Sequence, residues 1–461
     1  MSSEGLQAAT ATMARAGVST AAIGVFERFY GQLEANVTGY VPEDTIDPLG
    51  AVTRLVDIAQ EGEPDREALR RTVVLKLNGG LGTSMGITGP KSALPVRDGL
   101  TFLDIMARQV LALRERYEVG IPLLLMNSFR TREESLEILA RYPDLVVDGL
   151  PLDFLQSQEP KLRADDLSPV NWPADPELEW CPPGHGDVYV SLLASGILEA
   201  LRDRGYRYLF LSNADNLGAT CDPDIPAWMA AQSIPYVAEV CERTHNDRKG
   251  GHLAVRKRDQ RVVLRDSAMV VPGEDESFQD TTRHQLFHAN NLWVDLDVLA
   301  RELAEHDGVL PLPMIVNRKT VDPTDPSSTP VIQIESAMGA AIEIFEGSRA
   351  LEVPRTRFRP VKSTNELLLI RSDLYRLDED WMVQSTIDHP EPFIDLGRSY
   401  TMVDDFEERF PAGVPLIREC SSLRVKGDVT FGAQVRCVGD VVVTADGPRQ
   451  IADGTVLRGS P

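Results

Sequence analysis

Residues 73–91 read Val-Val-Leu-Lys-Leu-Asn-Gly-Gly-Leu-Gly-Thr-Ser-Met-Gly-Ile-Thr-Gly-Pro-Lys. The apolar run Val73–Leu75 has the character of a buried strand, and glycines at 79, 80, 82, 86 and 89 follow it. A strand that empties into such a segment is how an open α/β sheet presents backbone amides to an anion, because residues without a β-carbon let a bulky ligand approach the chain. Lys76 and Lys91 bracket the segment with positive charge, so it reads as a phosphate-holding loop. Two familiar loops are excluded. A Walker A loop needs glycine directly before lysine, and Pro90 separates Gly89 from Lys91; a G-x-G-x-x-G fingerprint needs glycine at 85, where Met85 stands.

Outward from this loop the chain alternates strand and helix. Apolar runs predict strands at 72–77, 121–126, 208–212, 235–240 and 287–294, and helical periodicity predicts helices at 101–116, 131–141, 187–204, 223–231, 295–306 and 336–346. That alternation implies an α/β fold with a mostly parallel sheet and helices on both faces, ligands binding beyond the carboxyl ends of the strands. Residues 1–70 read as a helical preface: 1–20 frayed, then helices near 20–36 and 48–60 and a short one starting at 62–65. The body of the chain is expected to run from 71 to 382. From 383 to 461 the texture changes, and short apolar pieces are broken by Gly427, Gly432, Gly439, Gly447 and Gly454. This spacing fits a small β-solenoid or a compact β-domain, and equally a plain meander.

A chain of 461 residues can bury a large core, and 43% hydrophobic with 25% charged residues is ordinary for a globular protein. The net charge of −23 argues against a nucleic-acid surface but leaves room for one basic nucleotide pocket. Five widely spaced cysteines with no C-x-x-C suit a reducing cytoplasm and give no metal site. No apolar run approaches the roughly 20 residues needed to span a bilayer.

Other stretches carry candidate chemistry. In Cys181-Pro-Pro-Gly-His-Gly-Asp187, Asp187 fits a helix N-cap, and His185 between glycines suits a donor to a substrate oxygen. Tyr208–Ser212 runs straight into Asn213-Ala214-Asp215-Asn216, so Asp215 past a strand end could hold Mg²⁺ against phosphates, or simply close the strand as an Asx-turn. Arg248-Lys249-Gly250-Gly251 offers charge and backbone access, and reads equally as a solvated turn. Asn290 and Asn291 bring two amides to a buried strand. Arg355, Arg357, Arg359 and Lys362 form a cationic run that reads as a solvated face from which one cation could neutralise a phosphate.

With these residues assembled, the chain resembles the eukaryotic-type UTP–glucose-1-phosphate uridylyltransferase family from about residue 70 to 445. The carriers are KLNGGLGTSMGITGPKS (76–92), GLTFLD (99–104), LLMNSF (124–129), CPPGHGDVY (181–189), LSNADNLGA (211–219), KGG (249–251), NNLW (290–293), IQIESAMGAAI (332–342) and VPRTRFRPVKST (353–364). The resemblance implies a Rossmann-like, GT-A-like nucleotidyltransferase domain with a mixed sheet, and a C-terminal left-handed parallel β-helix through which copies could assemble into a homo-oligomer. It implies UTP and glucose 1-phosphate as substrates and Mg²⁺ as cofactor. Leu77, Asn78, Gly79 and Gly80 would hold the nucleotide, Lys91 its phosphates, and Met126, Gln156 and Gly184 the uracil. His185, Asn213 and Asn290 would bind the sugar phosphate, with Lys249 another family lysine; Asp215 would hold the metal and Lys362 would meet the reacting phosphates. A UDP-N-acetylhexosamine or broad UDP-sugar pyrophosphorylase is the near rival, disfavoured because Gly-Thr-Ser-Met-Gly at 82–86 lacks the arginine of that branch's loop. A non-catalytic nucleotide-sugar-binding protein is the rival of another class.

Overall fold

The computed structural model describes residues 2–59, 65–243, 247 and 250–459. Eight strands make the central sheet: β1 (Thr53–Arg54), β2 (Thr72–Asn78), β3 (Leu123–Asn127), β4 (Asp153–Leu155), β5 (Tyr208–Asn213), β6 (Tyr236–Glu242), β7 (Leu286–Asp295) and β8 (Arg349–Glu352). They lie in the order β1-β8-β6-β7-β5-β2-β3-β4, so the sheet grows one way from β2 and then reverses to add β5 on its other side. Strand β7 is antiparallel to both neighbours and every other pair is parallel, which makes the sheet mixed.

Strand β2 is apolar on both faces because both faces are covered. Val74 joins one core with Phe102 and Met106, while Val73 and Leu75 join another with Val188, Leu192 and Leu299. The first core is covered by α3 (Phe102–Tyr117) and α7 (Asp224–Gln232), the second by α5 (Val188–Ala194), α6 (Ile197–Asp203) and α8 (Leu296–Glu305). Helix α3 starts on a capping box between Thr101 and Asp104, and α4 (Arg132–Leu139) follows β3.

Several local expectations change. Residues 2–15 are a helix, α1 (Ser2–Arg15), because Ala9 and Met13 pack with Phe26, Phe29 and Tyr30 of α2 (Thr20–Glu34). The expected helix at 48–60 is instead strand β1 and one short turn, Leu55–Ile58; tertiary pairing with β8 takes the strand. The expected helix at 187–204 is two helices, broken where Gly196 adopts φ +74°. Residues 338–343 form a 3-10 turn rather than an α-helix.

The C-terminal strands are β9 (Phe393–Asp395), β10 (Leu416–Lys426), β11 (Val429–Phe431), β12 (Arg436–Thr444), β13 (Arg449–Ile451) and β14 (Val456–Arg458). All their ladders are parallel, with Leu423 beside Val441, Val429 beside Arg449 and Arg436 beside Val456. A meander would pair antiparallel, so it is ruled out. Among the described residues no helix is long and apolar enough to cross a membrane.

Candidate active site

The switch point of the sheet lies between β2 and β5, and their carboxyl ends are level: Asn213 pairs with Leu77, and the Ala214 amide donates to the Leu77 carbonyl at 3.0 Å. A cavity of about 270 Å³ opens there, lined by Leu77, Asn78, Gly79, Gly80, Lys91, Ser92, Met126, Gln156, Pro182, Gly184, His185, Asn213, Ala214 and Asp215. Eleven positions named from sequence for nucleotide, metal or sugar phosphate thus share one cavity. Each comes from a strand end or the loop after it.

The glycine loop works differently from its sequence reading. Only Gly79 and Gly80 of its five glycines line the cavity. The chain then makes an excursion closed by a Leu81–Pro90 bridge, which returns the Lys91 amide to the Gly80 carbonyl at 3.4 Å. Gly82 and Gly89 serve this excursion by packing: a β-carbon would meet the Ile87 side chain at 2.6 Å or the Glu134 carboxylate at 2.4 Å. Gly79 faces the site and has the Gln156 amide where its β-carbon would be, with Oε1 at 2.3 Å.

Lys76 does not bracket the loop as its spacing suggested. Its side chain leaves the other face of β2, is buried, and donates to Ser212 Oγ at 2.8 Å and the Ala219 carbonyl at 2.6 Å. Burial and the neighbouring Arg357 lower its pKa to about 7. Lys91 is the cation at the cavity, 2.7 Å from the Asp215 carboxylate. The Asn78 side chain points inward and is fully engaged: Nδ2 donates to Asn127 Oδ1 at 2.7 Å and Ser135 Oγ at 2.8 Å, and Oδ1 accepts from Ser92 Oγ. Only its backbone remains for a ligand.

His185 is held by a bond that sets its tautomer. The Met338 amide donates to Nδ1 at 2.9 Å, so the neutral ring carries its proton on Nε2. Desolvation lowers its pKa, which favours that neutral donor. The 182–186 segment is stitched to 336–338 by Ser336 N to Pro183 O at 3.0 Å and Gly186 N to Ser336 O at 2.8 Å. Gly184, at φ +80°, permits the approach: a β-carbon would sit 2.6 Å from Ser336 O. Asp187 stands at the N-cap position of α5, as its place in the sequence suggested, but its backbone is already helical and its side chain makes no capping bond. Its Oδ2 accepts from Ser157 N at 2.7 Å and Ser191 Oγ at 2.6 Å, which fixes the loop carrying Gln156.

Asn290 and Lys362 lie instead on an adjoining cavity of about 470 Å³ with Gly250, Gly251, Asp266, His288 and Arg359. Asn290 is at φ +55° within a bulge of β7 opposite Glu239, which turns it out of the sheet while Asn291 stays buried. Burial lowers the pKa of the neighbouring His288 to about 4. Of the cationic run, Arg355 pairs with Asp247 at 2.7 Å, Arg357 with buried Glu239, and Arg359 with Glu391 at 3.2 Å. Lys362 is exposed, with no ionic partner among the described residues. Lys249 lies outside the described residues.

Asp215 is the sole carboxylate lining the first cavity, and among the described residues no cluster of three His, Cys, Asp or Glu side chains is placed to hold a metal. A divalent cation fits here if ligand phosphates and water complete its shell, the usual arrangement for Mg²⁺. Sequence reasoning passed over Ser92, Asn127, Asn216 and Glu239. Glu239 carried a signal, a carboxylate inside the buried run Tyr-Val-Ala-Glu-Val-Cys, which demands a partner.

Comparison with known proteins agrees with this geometry. A family model described as UTP–glucose-1-phosphate uridylyltransferase matches residues 24–437. A protein of that name from Solanum tuberosum is 40% identical over 410 residues, covering 88% of this chain and 83% of the relative. A probable one from Schizosaccharomyces pombe is 38% identical over 406 residues, covering 87% and 79%. Among solved structures, a UDP-glucose phosphorylase from Trypanosoma brucei superposes with a TM-score of 0.93 at 43% identity, covering 99% of both chains. A UDP-glucose pyrophosphorylase variant from Leishmania major, solved in complex with UDP-glucose, gives 0.92 at 41% identity, covering 99% of this chain and 98% of that one.

Proposed function

The chain belongs to the UTP–glucose-1-phosphate uridylyltransferase family, and on that footing we propose that its cleft forms UDP-glucose and pyrophosphate from UTP and glucose 1-phosphate. The observation that carries the assignment of residues is the convergence of Leu77–Gly80, Met126, Gln156, Gly184, His185 and Asn213 on one cavity with the Lys91–Asp215 pair.

The backbone of Leu77, Asn78, Gly79 and Gly80 holds the nucleotide, and the Gln156 amide, with Met126 and Gly184, reads the uracil edge. His185 donates from Nε2 to the sugar phosphate, which Asn213 and Asn290 also bind; Lys249 is retained as a further sugar-phosphate contact. A phosphate oxygen of glucose 1-phosphate attacks the α-phosphorus of UTP, and the bond from that phosphorus to the bridging oxygen breaks as pyrophosphate leaves. The attacking oxygen is already anionic, so no side chain has to remove a proton. The residues' task is alignment and relief of repulsion between two polyanions. Lys91, beside Asp215, and Lys362, on the adjoining cavity, supply charge. Mg²⁺, when bound at Asp215, would neutralise phosphate charge further. Five free thiols support a reducing, cytoplasmic setting.

The test is pyrophosphate release from UTP and a panel of sugar 1-phosphates, with and without Mg²⁺. Metal-dependent release with glucose 1-phosphate preferred is expected. A clear preference for the N-acetylhexosamine substrate, or UDP-glucose binding without any turnover, would overturn the reading.

A further inference from the structure

Between the metal-side loop and the lysine-side loop lies a buried polar network that the reaction itself does not use. Asn216, next to Asp215, is 3% exposed and has its whole amide engaged. Its Oδ1 accepts from Arg359 N at 2.8 Å and Gly218 N at 3.2 Å, and its Nδ2 donates to Arg357 O at 3.1 Å and Asn291 Oδ1 at 3.4 Å. Residues 216 and 360 form an antiparallel bridge, and Val361 N donates to Asp215 O at 3.2 Å. The 357–361 segment is therefore tied to the turn that carries Asp215 by one bridge and the hydrogen bonds around it.

The far side of that segment is fixed as firmly. The Glu239 carboxylate, fully buried, accepts from Arg357 Nε at 2.9 Å and Nη2 at 2.5 Å, Asn291 Nδ2 at 2.9 Å and Trp293 Nε1 at 2.9 Å. Four charge-assisted bonds offset the desolvation of the ion pair, and the carboxyl stays below its ordinary pKa despite burial because of Arg357. Arg357 Nη2 also reaches Thr220 O at 2.9 Å. Gly218 lies so close to the segment that a β-carbon would meet Thr356 O at 2.4 Å.

Lys362 follows Val361 immediately, and Ser363 after it caps α9 (Thr364–Arg371) through a capping box with Glu366. The exposed lysine thus stands between two fixed backbone points with no residue of slack. We propose that Asn216 is a positioning residue, which with Asn291, Glu239 and Arg357 latches the Lys362 loop to the Asp215 turn and so sets how far apart the two charged groups stand across the cleft. The inference rests on Lys362 acting at the phosphates, as assigned above.

The experiment is a double-mutant cycle on the full chain, with Asn216→Ala, Lys362→Ala and the double variant, measuring kcat, KM for both substrates and thermal midpoint. Asn216→Ser is carried alongside as a milder change should the alanine variant not fold. The expected result is a fall in kcat of roughly 10²-fold in Asn216→Ala, with a small change in KM for UTP, and little further loss in the double variant. A network that only stabilises the fold would lower the midpoint and leave kcat alone, or multiply with the lysine loss; either result overturns the latch while a large effect of Lys362→Ala leaves the lysine's role standing. Wild-type kcat in Lys362→Ala would remove that role, and the latch with it.

Discussion

Lys362 and Lys91 look alike in sequence but occupy different situations, and that difference predicts different phenotypes. Lys91 is paired with Asp215 at 2.7 Å and lines the first cavity, whereas Lys362 is exposed on the adjoining one. A cation that meets the phosphates mainly in the transition state should affect kcat more than ground-state affinity. Lys362→Ala is therefore expected to lower kcat by about 10²-fold or more with a modest change in UTP affinity, read from steady-state kinetics and calorimetry. Another residue carries a pH signature. His252 is fully buried, stacked on His284 at 3.8 Å, faced by Arg243, Arg265 and Phe278, and its pKa is lowered to about 2. Above its unfolded pKa of about 6.5 the ring is neutral in both states and contributes nothing. Below that value only the unfolded chain takes up the proton, so stability falls as pH drops, by roughly 2 kcal/mol at pH 5. His252→Leu should narrow the gap between thermal midpoints at pH 7.5 and pH 5. An unchanged gap would show that this imidazole is not a source of acid sensitivity.

At the scale of elements, the loop after β2, proposed above to hold the nucleotide, makes one close approach that carries a prediction. Because the Gln156 amide fills the place of a Gly79 β-carbon, Gly79→Ala must push that amide aside. The expected outcome is a KM for UTP raised about tenfold, near 1.4 kcal/mol, with the thermal midpoint little changed. An unaltered KM would detach Gln156 from the nucleotide. The same loop shows what was legible in sequence. Val73–Leu75 as a doubly covered strand and Gly79–Gly80 at its end follow from local pattern, and so do Asn213 at the end of β5 and Asp215 just after it. The direction of each side chain does not. Lys76 and Leu77 are adjacent, yet strand alternation sends one into the core beneath Ala219 and the other toward the nucleotide cavity. Helix α1 escaped notice because most of its apolar residues are alanines, and Ala9 and Met13 gain their burial only in a tertiary cluster with α2 and residues such as Leu162 and Ile332. Strand β1, two residues long, exists only through its partner β8. Asn216 and Glu239 became meaningful only once residues 357–361 were folded beside them.

For the whole molecule, the change of texture near residue 383 marks a change of secondary structure, but the apolar core runs across it. One cluster contains Val361, Leu367, Leu368, Ile370 and Leu374 together with Ile394, Leu396, Tyr400, Phe406, Ile417 and Leu423. Polar ties cross the same line: Leu396 N donates to Asn365 Oδ1 at 3.1 Å, Ile417 N to Asp373 Oδ1 at 2.7 Å, and Arg371 pairs with Glu407 at 2.7 Å. Helix α9, which begins just after Lys362, is thus held against the C-terminal strands on one side and against residues 95–97 on the other, where Arg97 donates to the Ile370 carbonyl at 2.9 Å and Arg371 Nε to the Pro95 carbonyl at 3.2 Å. Uncovering a buried leucine or isoleucine costs about 2 kcal/mol, so exposing a handful approaches the 5–15 kcal/mol by which a folded chain is stable. A chain ending at residue 382 is accordingly expected to give no cooperative thermal transition and no pyrophosphate release. A shorter deletion removing β14 (Val456–Arg458), of whose residues only half-buried Leu457 packs against that cluster, should retain both. A soluble 1–382 fragment with the full-length midpoint would mean that the C-terminal strands merely rest on the rest of the chain; loss of the transition, with the shorter deletion intact, would make them part of the scaffold that holds the Lys362 segment.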